Sequence, residues 1–447
     1  MSESESSTLK TARVGALEIE IPGDWETLTL QKITELSGSG EWGEETESAS
    51  NNREALVLRS GDITLDGDLS KTDIATRYLS ESNYEQYEIK PLDIVIVTSS
   101  GSEKHIGKKW LAPETLTENK YHYTNFLYRI RLNKSRCSPR FIYYFLNSDY
   151  ERTFLQSITP TSTGLQNLDT DSYEELTVPL PPLPEQRRIA EILSTVDELI
   201  QQTNEIIEKA TEIRKGVLND LLSKGVNEAQ LKKVKLGPIN RSIPNTWEVV
   251  ELRDITGRLT NGISKSQNFE GDGFPVTRIE TIADEVVNLS AVGWIDDDSS
   301  GYEDYQIRNN DILFSHINSL DHIGKAAQYR GKEGVLYHGM NLLLIRFDWN
   351  LIHPLFAYIY MTAPFFRKLC RSFAKKAVNQ VSLNQSDVGK LPLLLPSYYE
   401  QEMIAQRIEC IDRKLRSETQ QKQHLGQLKR GLMQDLLTGK VRVPVKT

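Results

Sequence analysis

Glu185-Gln186-Arg187-Arg188-Ile189-Ala190 opens a long amphipathic segment, and Glu400-Gln401-Glu402-Met403-Ile404-Ala405 opens a second one 215 residues later. The offset stays at 215 beyond these hexapeptides, so that Asp197 matches Asp412. A constant offset means that neither copy has gained or lost a residue, as expected of a helix whose register matters. The sequence therefore predicts two equivalent long helices.

The repeat extends towards the N-terminus with an offset that drifts. Ile21-Pro22-x-x-Trp25-Glu26 returns as Ile243-Pro244-x-x-Trp247-Glu248, and His105-Ile106-Gly107-Lys108 returns as His322-Ile323-Gly324-Lys325. Loops tolerate insertions and deletions, which explains the drift. The 447 residues thus contain one unit written twice, each unit ending in a long helix.

Apolar residues in both long segments are spaced alternately four and three residues apart. The first copy has them at Ile189, Leu193, Val196, Ile200, Thr203, Ile207, Ala210, Val217 and Leu221, with Arg214 at one seam position. This spacing predicts a two-stranded coiled coil. Because the connection after the first helix is short, we expect the helices to run antiparallel, with a globular unit at each end and an approximate two-fold axis. Two amphipathic helices packed separately on a globular core are the alternative.

Each globular unit mixes strands with a helix. We expect strands at 55–59, 93–98 and 125–132 in the first copy and at 274–279, 311–315 and 342–347 in the second. Helices are expected from Pro139 to Leu155, with Ser138 as N-cap, and from Pro354 to Ala374. The predicted class is α+β: two mixed α/β domains separated by a long antiparallel two-helix coiled coil, in a pseudo-two-fold tandem repeat.

Polar loops at corresponding places in the two copies are the candidate sites. One loop follows a strand in each copy (98–109 and 315–325), and a second precedes the last strand (159–167 and 375–384). Side chains that can hydrogen-bond to base edges or phosphates predict DNA contacts there. The candidates are Ser99, Ser100, Lys104, His105, Lys108, Thr161, Thr163, Gln166, Ser315, His316, Asn318, His322, Lys325, Lys376, Asn379 and Gln380. Ordinary hairpin and turn chemistry is the alternative.

Composition limits the class of protein. The net charge is -9, and residues 1–180 alone carry -11. Two windows nevertheless hold five cations and no acid, Arg129–Arg140 and Trp349–Ser386, and phosphate binding depends on such local density. The sequence shows no secretory signal and no membrane-length apolar run, and its three cysteines lie far apart, so we expect a reduced cytoplasmic protein.

Signatures of catalysis are missing from the sequence. There is no Walker-type phosphate loop, no methyltransferase motif for a flipped adenine, and no histidine or cysteine spacing of a metal site. Asp93 with Glu118-Asn119-Lys120 is the best nuclease-like set. We therefore expect a reader of DNA without catalytic chemistry; a self-contained nuclease and a coiled-coil adaptor that binds proteins are the alternatives.

The junction Pro179-Leu180-Pro181-Pro182-Leu183-Pro184-Glu185-Gln186-Arg187-Arg188-Ile189-Ala190 resembles the hallmark of the specificity subunits of type I restriction–modification systems. The second junction keeps Glu-Gln and Ile-Ala but loses the proline run. The resemblance implies two target-recognition domains that read a split, asymmetric target in double-stranded DNA.

The resemblance also implies partners. Two modification subunits would dock on the helices and methylate adenine N6 with S-adenosylmethionine, and restriction subunits would use ATP and Mg. It implies no cofactor in this chain and no membrane contact. Expected boundaries are a disordered tail (1–16), recognition domain 1 (17–180), a central helix (181–225), a linker (226–242), recognition domain 2 (243–395), a C-terminal helix (396–440) and a tail (441–447).

Overall fold

A computed structural model of the chain describes residues 8–70, 73–101, 105–116, 120–159, 166–227, 230–376 and 381–444. The chain divides into two compact units. The first unit comprises residues 1–204 and 420–447, and the second comprises residues 205–419. Each unit therefore contains one part of each long helix.

The first unit is built from strands and short helices. Its strands are β1 (Leu9–Val14), β2 (Leu17–Pro22), β3 (Glu26–Thr29), β4 (Thr34–Ser39), β5 (Arg53–Leu58), β6 (Ala75–Leu79), β7 (Ile94–Val97), β8 (Ser99–Ser100), β9 (Lys109–Leu111), β10 (Tyr121–Tyr123), β11 (Leu127–Leu132), β12 (Gln166–Asn167) and β13 (Thr177–Leu180). Its short helices are α1 (Leu30–Ile33), α2 (Glu81–Gln86), α3 (Pro139–Phe145), α4 (Asp149–Ile158) and α5 (Thr170–Glu174). The first long helix, α6, is Leu183–Lys224.

The second unit repeats this plan. Its strands are β14 (Leu231–Leu236), β15 (Ile239–Pro244), β16 (Glu248–Glu251), β17 (Thr256–Asn261), β18 (Phe274–Val276), β19 (Gly293–Ile295), β20 (Ile312–Phe314), β21 (Ile317–Asn318), β22 (Ala326–Gln328), β23 (Leu343–Phe347), β24 (Lys375–Lys376), β25 (Val381–Ser382) and β26 (Pro392–Leu395). Its short helices are α7 (Pro354–Thr362), α8 (Pro364–Phe373) and α9 (Gln385–Gly389), and the second long helix is α10 (Tyr398–Leu436).

The central sheets of the two units have the same strand order. It is β4-β11-β7-β9 in the first unit and β17-β23-β20-β22 in the second, and every pairing is antiparallel. The units differ beside this sheet: β10, β5 and β6 form a three-stranded sheet in the first, whereas β18 and β19 form a two-stranded antiparallel sheet in the second. The internal repeat of the sequence is thus a repeat of topology.

The glutamine of each Glu-Gln junction fastens a long helix to its own unit. The side-chain carbonyl of Gln186 accepts the amide of Ser138 at 2.8 Å, and its NH2 group donates to the carbonyl of Pro181 at 2.8 Å. Gln401 likewise accepts the amide of His353 at 2.8 Å and donates to Pro396 at 2.9 Å. Both glutamines are buried, so each side-chain amide satisfies backbone groups that would otherwise be costly to bury.

The two long helices pair antiparallel within each unit. In the first unit, Asp197 on α6 contacts Lys429 on α10 at 2.6 Å, and Glu185 contacts Arg442, just beyond α10, at 2.8 Å. In the second unit, Arg214 on α6 pairs with Asp412 on α10. Residue numbers rise along one helix as they fall along the other. The predicted fold class, two mixed domains with an antiparallel two-helix coiled coil, is confirmed.

Three details of the predicted secondary structure are wrong. Residues 9–14 form β1, which pairs with β2, so the chain from residue 9 onwards is not a disordered tail. The expected linker contains the hairpin β14–β15. Each predicted single helix before the last strand is two helices: Ser148 caps α4, and Ala363 is extended because the ring of Pro364 disfavours helical geometry at the preceding residue.

The C-terminal residues also differ from the expected tail. Arg442 forms ion pairs with Asp24 at 2.9 Å and with Glu185 at 2.8 Å, and Val443 is buried. The chain after α10 is therefore part of the first unit as far as residue 444. The other expected boundaries stay predictions.

Candidate nucleic-acid interface

The loop that follows β7 in the first unit has the same backbone hydrogen bonds at its base as the loop that follows β20 in the second unit. Val97 donates to the carbonyl of Lys108 and accepts the amide of Gly107, both at 2.9 Å. Ser315 does the same with Lys325 at 2.8 Å and Gly324 at 2.9 Å. These hydrogen bonds close both predicted loops at their base.

The recurring His-Ile-Gly-Lys sequence builds this closure. Ile106 and Ile323 are buried. Gly107 has a φ of 75°, a conformation that side chains disfavour, and a Cβ there would lie 2.8 Å from Leu155. Gly324 is equivalent, with a φ of 81°. The motif that suggested a DNA contact is therefore largely a turn required by the fold.

The two lysines of this motif are tied to the protein. The Nζ of Lys108 donates to the carbonyls of Ser60, at 3.1 Å, and Ile63, and burial lowers its pKa. The Nζ of Lys325 donates to the carbonyl of Ala283 at 2.6 Å. We expected both ammonium groups to reach phosphates or bases; instead they hold the loop against the rest of its unit.

The structure joins the two predicted surfaces of each unit. In the first, β8 pairs antiparallel with β12, which sets Ser99 opposite Asn167 and Ser100 opposite Gln166. In the second, β21 pairs antiparallel with β25, which also pairs with β24. We call these small sheets the tip ladders: β8 with β12, and β21 with β25 and β24. Loops predicted as separate candidates therefore form one site per unit.

Candidates in the second tip ladder differ in exposure. Ser315 and His316 are buried, whereas His322 is exposed. Burial lowers the pKa of His316 to about 4, partly offset by a backbone hydrogen bond, so its ring is neutral at pH 7. Asn318 is half-buried and donates to the hydroxyl of Ser315 at 3.3 Å. Ser315 and His316 thus support the ladder from within.

In the first unit, Ser99, Ser100 and His105 are half-buried, and Ser99 donates a hydrogen bond to the side-chain oxygen of Asn167. Gln166 and Lys376 are placed by their backbones in β12 and β24. The remaining candidates lie outside the described residues: Lys104, Thr161, Thr163, Asn379 and Gln380.

The two cation-rich windows are used differently. In the first, Arg129 is buried and donates to the carbonyls of Gln86 and Glu88 at 2.9 and 3.2 Å, and Arg131 pairs with Asp93. These two cations stabilise the first unit, whereas Lys134 and Arg136 of the same window are exposed. In the second window, Lys368, Arg371 and Lys375 are exposed, and Arg371 and Lys375 pair with Asp321 and Asp387 at 3.9 and 3.1 Å. The exposed cations of both windows are therefore candidates for phosphate contacts.

The family follows from a comparison of sequences. The profile described as "Type I restriction modification DNA specificity domain" matches residues 22–212 and 244–427, one match for each half of the repeat. The chain belongs to this family.

Sequence relatives agree with this membership, and a solved structure shares the fold. The chain is 40% identical to a putative specificity subunit of the type I restriction enzyme MjaX of Methanocaldococcus jannaschii, over 47% of this chain and 49% of the relative. It is 25% identical to the MjaVIII specificity subunit of the same organism over 83% and 84% of the two chains. The crystal structure of a type I S subunit from M. genitalium has the same fold, with a TM-score of 0.56, 17% identity and coverage of 95% and 97%.

As a type I specificity subunit, the chain is a non-catalytic, DNA sequence-specificity component of a restriction–modification complex. Asp93, the best nuclease candidate, has a structural role. It is buried, and its carboxylate accepts hydrogen bonds from Nε and Nη2 of Arg131 at 2.8 and 2.7 Å. Asp311 and Arg346 repeat this pair at 2.7 and 2.6 Å, at the start of the strand that the sequence matches with the strand of Asp93.

Within the described residues, no group of three or more His, Cys, Asp or Glu side chains could hold a metal ion. A search of the same residues found no helix with the length and apolarity needed to cross a membrane.

Two aromatic–guanidinium pairs in the specificity subunit escaped sequence analysis. The guanidinium of Arg77 lies 4.1 Å from the ring centre of Trp42, and that of Arg278 lies 4.4 Å from the ring centre of Phe269. The two members of each pair are 35 and 9 residues apart in the chain, so no local spacing could have indicated the contacts.

Proposed function

We propose that this specificity subunit reads a split, asymmetric double-stranded DNA target, one half with each tip ladder. The supporting observation is that the ladders have the same backbone pairing but different side chains. Ser99 faces Asn167 in the first unit, whereas Ile317 faces Ser382 at the matching position of the second. Different groups at equivalent positions select different bases.

The complex supplies the chemistry that this chain lacks. Two modification subunits methylate adenine N6 with S-adenosylmethionine, and restriction subunits use ATP and Mg; the assembly acts on DNA in the cytoplasm. Native mass spectrometry of the complex purified with its modification subunits tests the proposed stoichiometry. Two modification subunits per specificity subunit are expected, and a single one would contradict it.

Single-molecule methylation sequencing tests the target. DNA from cells that express this chain with its neighbouring methyltransferase should carry methyladenine in a two-part motif with unlike halves. Cells with the methyltransferase alone are the control. A continuous motif, a palindromic motif, or the same methylation without this chain would refute the proposal.

Exchange of the first tip loop assigns the halves. Replacing residues 99–105 with the matching part of a relative's loop should change one half of the motif and leave the other intact, because the second ladder is untouched and Gly107, Lys108 and Lys109, which the fold requires, are kept. Unchanged specificity would refute the role of this loop. The half that survives the exchange is then the half read by the second unit.

A further inference from the structure

The second tip ladder carries apolar side chains where the first carries polar ones. Ile317 in β21 is opposite Ser382, and the equivalent residues of the first unit are Ser99 and Asn167. The equivalence is fixed by a shared hydrogen bond: the amide of Leu383 donates to the carbonyl of His316 at 2.8 Å, as the amide of Leu168 does to Thr98. The difference therefore lies in side-chain chemistry rather than in backbone position.

These apolar side chains face water. Ile317 is 39% exposed and Leu320, in the same loop, is 47% exposed. The backbone beneath them is fixed, since His316 and Ser315 on the protein side are buried. Single exposed apolar residues are ordinary on protein surfaces, but here two lie three residues apart on a rigid loop within the candidate site.

Cations flank this loop. Lys368 and Arg371 are exposed and lie one turn apart on α8. The guanidinium of Arg371 donates to the backbone carbonyl of Asp321 at 3.2 Å and lies 3.9 Å from its carboxylate, which ties α8 to the loop. The matching residues of the first unit are the uncharged Thr153 and Gln156. The major groove of DNA presents apolar groups between two rows of phosphates. A loop with apolar side chains beside cations is complementary to such a surface.

We propose that Ile317 and Leu320 contact C5-methyl groups of thymine in the half-site read by the second unit. This inference rests on the proposed function. Thymine methyl is the apolar group that an unmodified base pair presents in the major groove. Lys368 holds an adjacent phosphate, and Arg371 fixes the loop through Asp321; together they orient the tip towards the base edges.

Uracil substitution tests the contact directly, because it removes only the methyl group. The complex of the full chain with its modification subunits is titrated with duplexes that carry the sequenced target, with each thymine of either half replaced in turn by uracil. At least one substitution in the second unit's half should weaken binding about four-fold or more, the value expected for one buried methyl group. No effect at any thymine of that half, or a half without an A·T pair, overturns the proposal.

Variants identify the side chains responsible. The complex with the double variant Ile317→Ser, Leu320→Ser should bind the thymine and uracil duplexes equally. Leu289 is also exposed in the second unit, and the control variant Leu289→Ser should keep the preference for thymine. A preference that survives in the Ile317→Ser, Leu320→Ser double variant overturns the proposal. Equal thermal midpoints for these complexes show that folding is unchanged; if the double variant unfolds early, the single variants serve the same comparison.

The cation argument has its own readout. Lys368→Ala should weaken binding of the thymine and uracil duplexes by the same factor and reduce the slope of log K against log salt by about one. An unchanged slope would show that Lys368 does not contact a phosphate, and it would overturn that part of the proposal. If the wild-type complex binds no specific sequence at all, the proposed function itself fails, which is a different outcome from specific binding that ignores uracil.

Discussion

Arg214 and Asp412 form an ion pair between α6 and α10, in which Nε and Nη2 of the guanidinium donate to the two carboxylate oxygens and the Nη2–Oδ2 distance is 3.1 Å. Asp197 and Lys429 are the equivalent pair in the first unit, because each residue lies 215 positions from its counterpart with the charges carried over. The two pairs are one contact repeated by the duplication. A charge in the seam, which interrupts the apolar pattern in the sequence, is thus a specific link between the helices.

Charge reversal tests this link. Arg214→Asp or Asp412→Arg alone should destabilise the second unit by about 1–3 kcal/mol, because each leaves like charges facing one another in a partly buried position. The combined exchange should recover at least half of the loss in urea unfolding. The same exchange at the exposed pair Arg188–Glu191 is the control, with an expected effect below about 1 kcal/mol. Additive losses in the double variant would contradict the contact.

Lengthening both helices tests their role in spacing the target. Seven residues inserted after Lys209 and seven after Ser417 keep the heptad register and add about 10 Å to each helix. The gap between half-sites should grow by about three base pairs at about 3.4 Å each. Methylation sequencing measures the gap, and insertion into one helix alone is the control that should abolish methylation. A gap of the original length would refute the role of the helices.

The buried pair of Lys109 and Glu151 gives a third prediction. These side chains lie 3.0 Å apart, and Tyr173 donates to the same carboxylate at 2.6 Å. Ala326, Phe366 and Val388 occupy the equivalent positions of the second unit and are all buried. Lys109→Ala should destabilise the first unit by about 3–5 kcal/mol, because it leaves a buried carboxylate without its cation.

Converting all three positions to the second unit's residues removes that carboxylate. The triple variant Lys109→Ala, Glu151→Phe, Tyr173→Val should therefore be more stable than Lys109→Ala alone. Urea unfolding of the two variants and the wild type makes the comparison. A triple variant less stable than the single one would show that the polar cluster stabilises the unit beyond satisfying its own charges.

The two repeated tryptophans form a matched pair for mutation. Trp25 and Trp247 are both fully buried, but the indole N–H of Trp247 donates to Glu400 at 2.8 Å, whereas that of Trp25 has no hydrogen-bond partner among the described residues. Trp247→Phe should therefore cost about 1–3 kcal/mol more than Trp25→Phe. Thermal or urea unfolding measures the difference. Equal losses would mean that the hydrogen bond to Glu400 adds no net stability.

Two buried histidines predict that the second unit weakens in acid. Burial lowers the pKa of His316 and His338 to about 4, and backbone hydrogen bonds offset part of the effect. Between pH 6.5 and pH 4 the unfolded chain binds protons that the folded chain does not, so stability falls as the pH falls through this window.

The expected loss is about 2 kcal/mol per histidine between pH 7 and pH 5. Unfolding free energies at the two pH values should differ less in His338→Gln, whose amide can still donate to the carbonyl of Leu342, the partner of the His338 ring at 2.9 Å. The same pH dependence in the variant would mean that the folded state already accommodates the charged ring.

Much of the architecture could be predicted because it depends on periodic or repeated residues. The constant offset and the four-three spacing predicted the long helices, and the expected antiparallel pairing is confirmed. Proline was the signal overlooked: Pro364 sits within the expected helix from 354 to 374 and divides it. The hairpin β1–β2 was missed because residues 1–16 begin with a polar, acidic stretch that hides the alternation from residue 9 onwards.

The site was harder to predict because its residues have roles that only tertiary contacts reveal. Lys108 and Lys325 carry the charge expected of a phosphate contact, yet Ser60, Ile63 and Ala283, far away in the sequence, supply their partners. Ile317 is not among the sequence-based candidates because apolar residues usually lie in the core. The pairing of β8 with β12 joins the two loops of the first unit. It could not be predicted from the sequence because each strand has only two residues.

The glutamine anchors have an evolutionary consequence. Gln186 and Gln401 accept and donate the same hydrogen bonds in their respective units. Each half of the gene therefore encodes the residues of its own glutamine anchor. Recombination between genes at the start of α6 would therefore join foreign halves without disturbing a single anchor bond. Such an exchange would create a new pairing of half-sites in one genetic event.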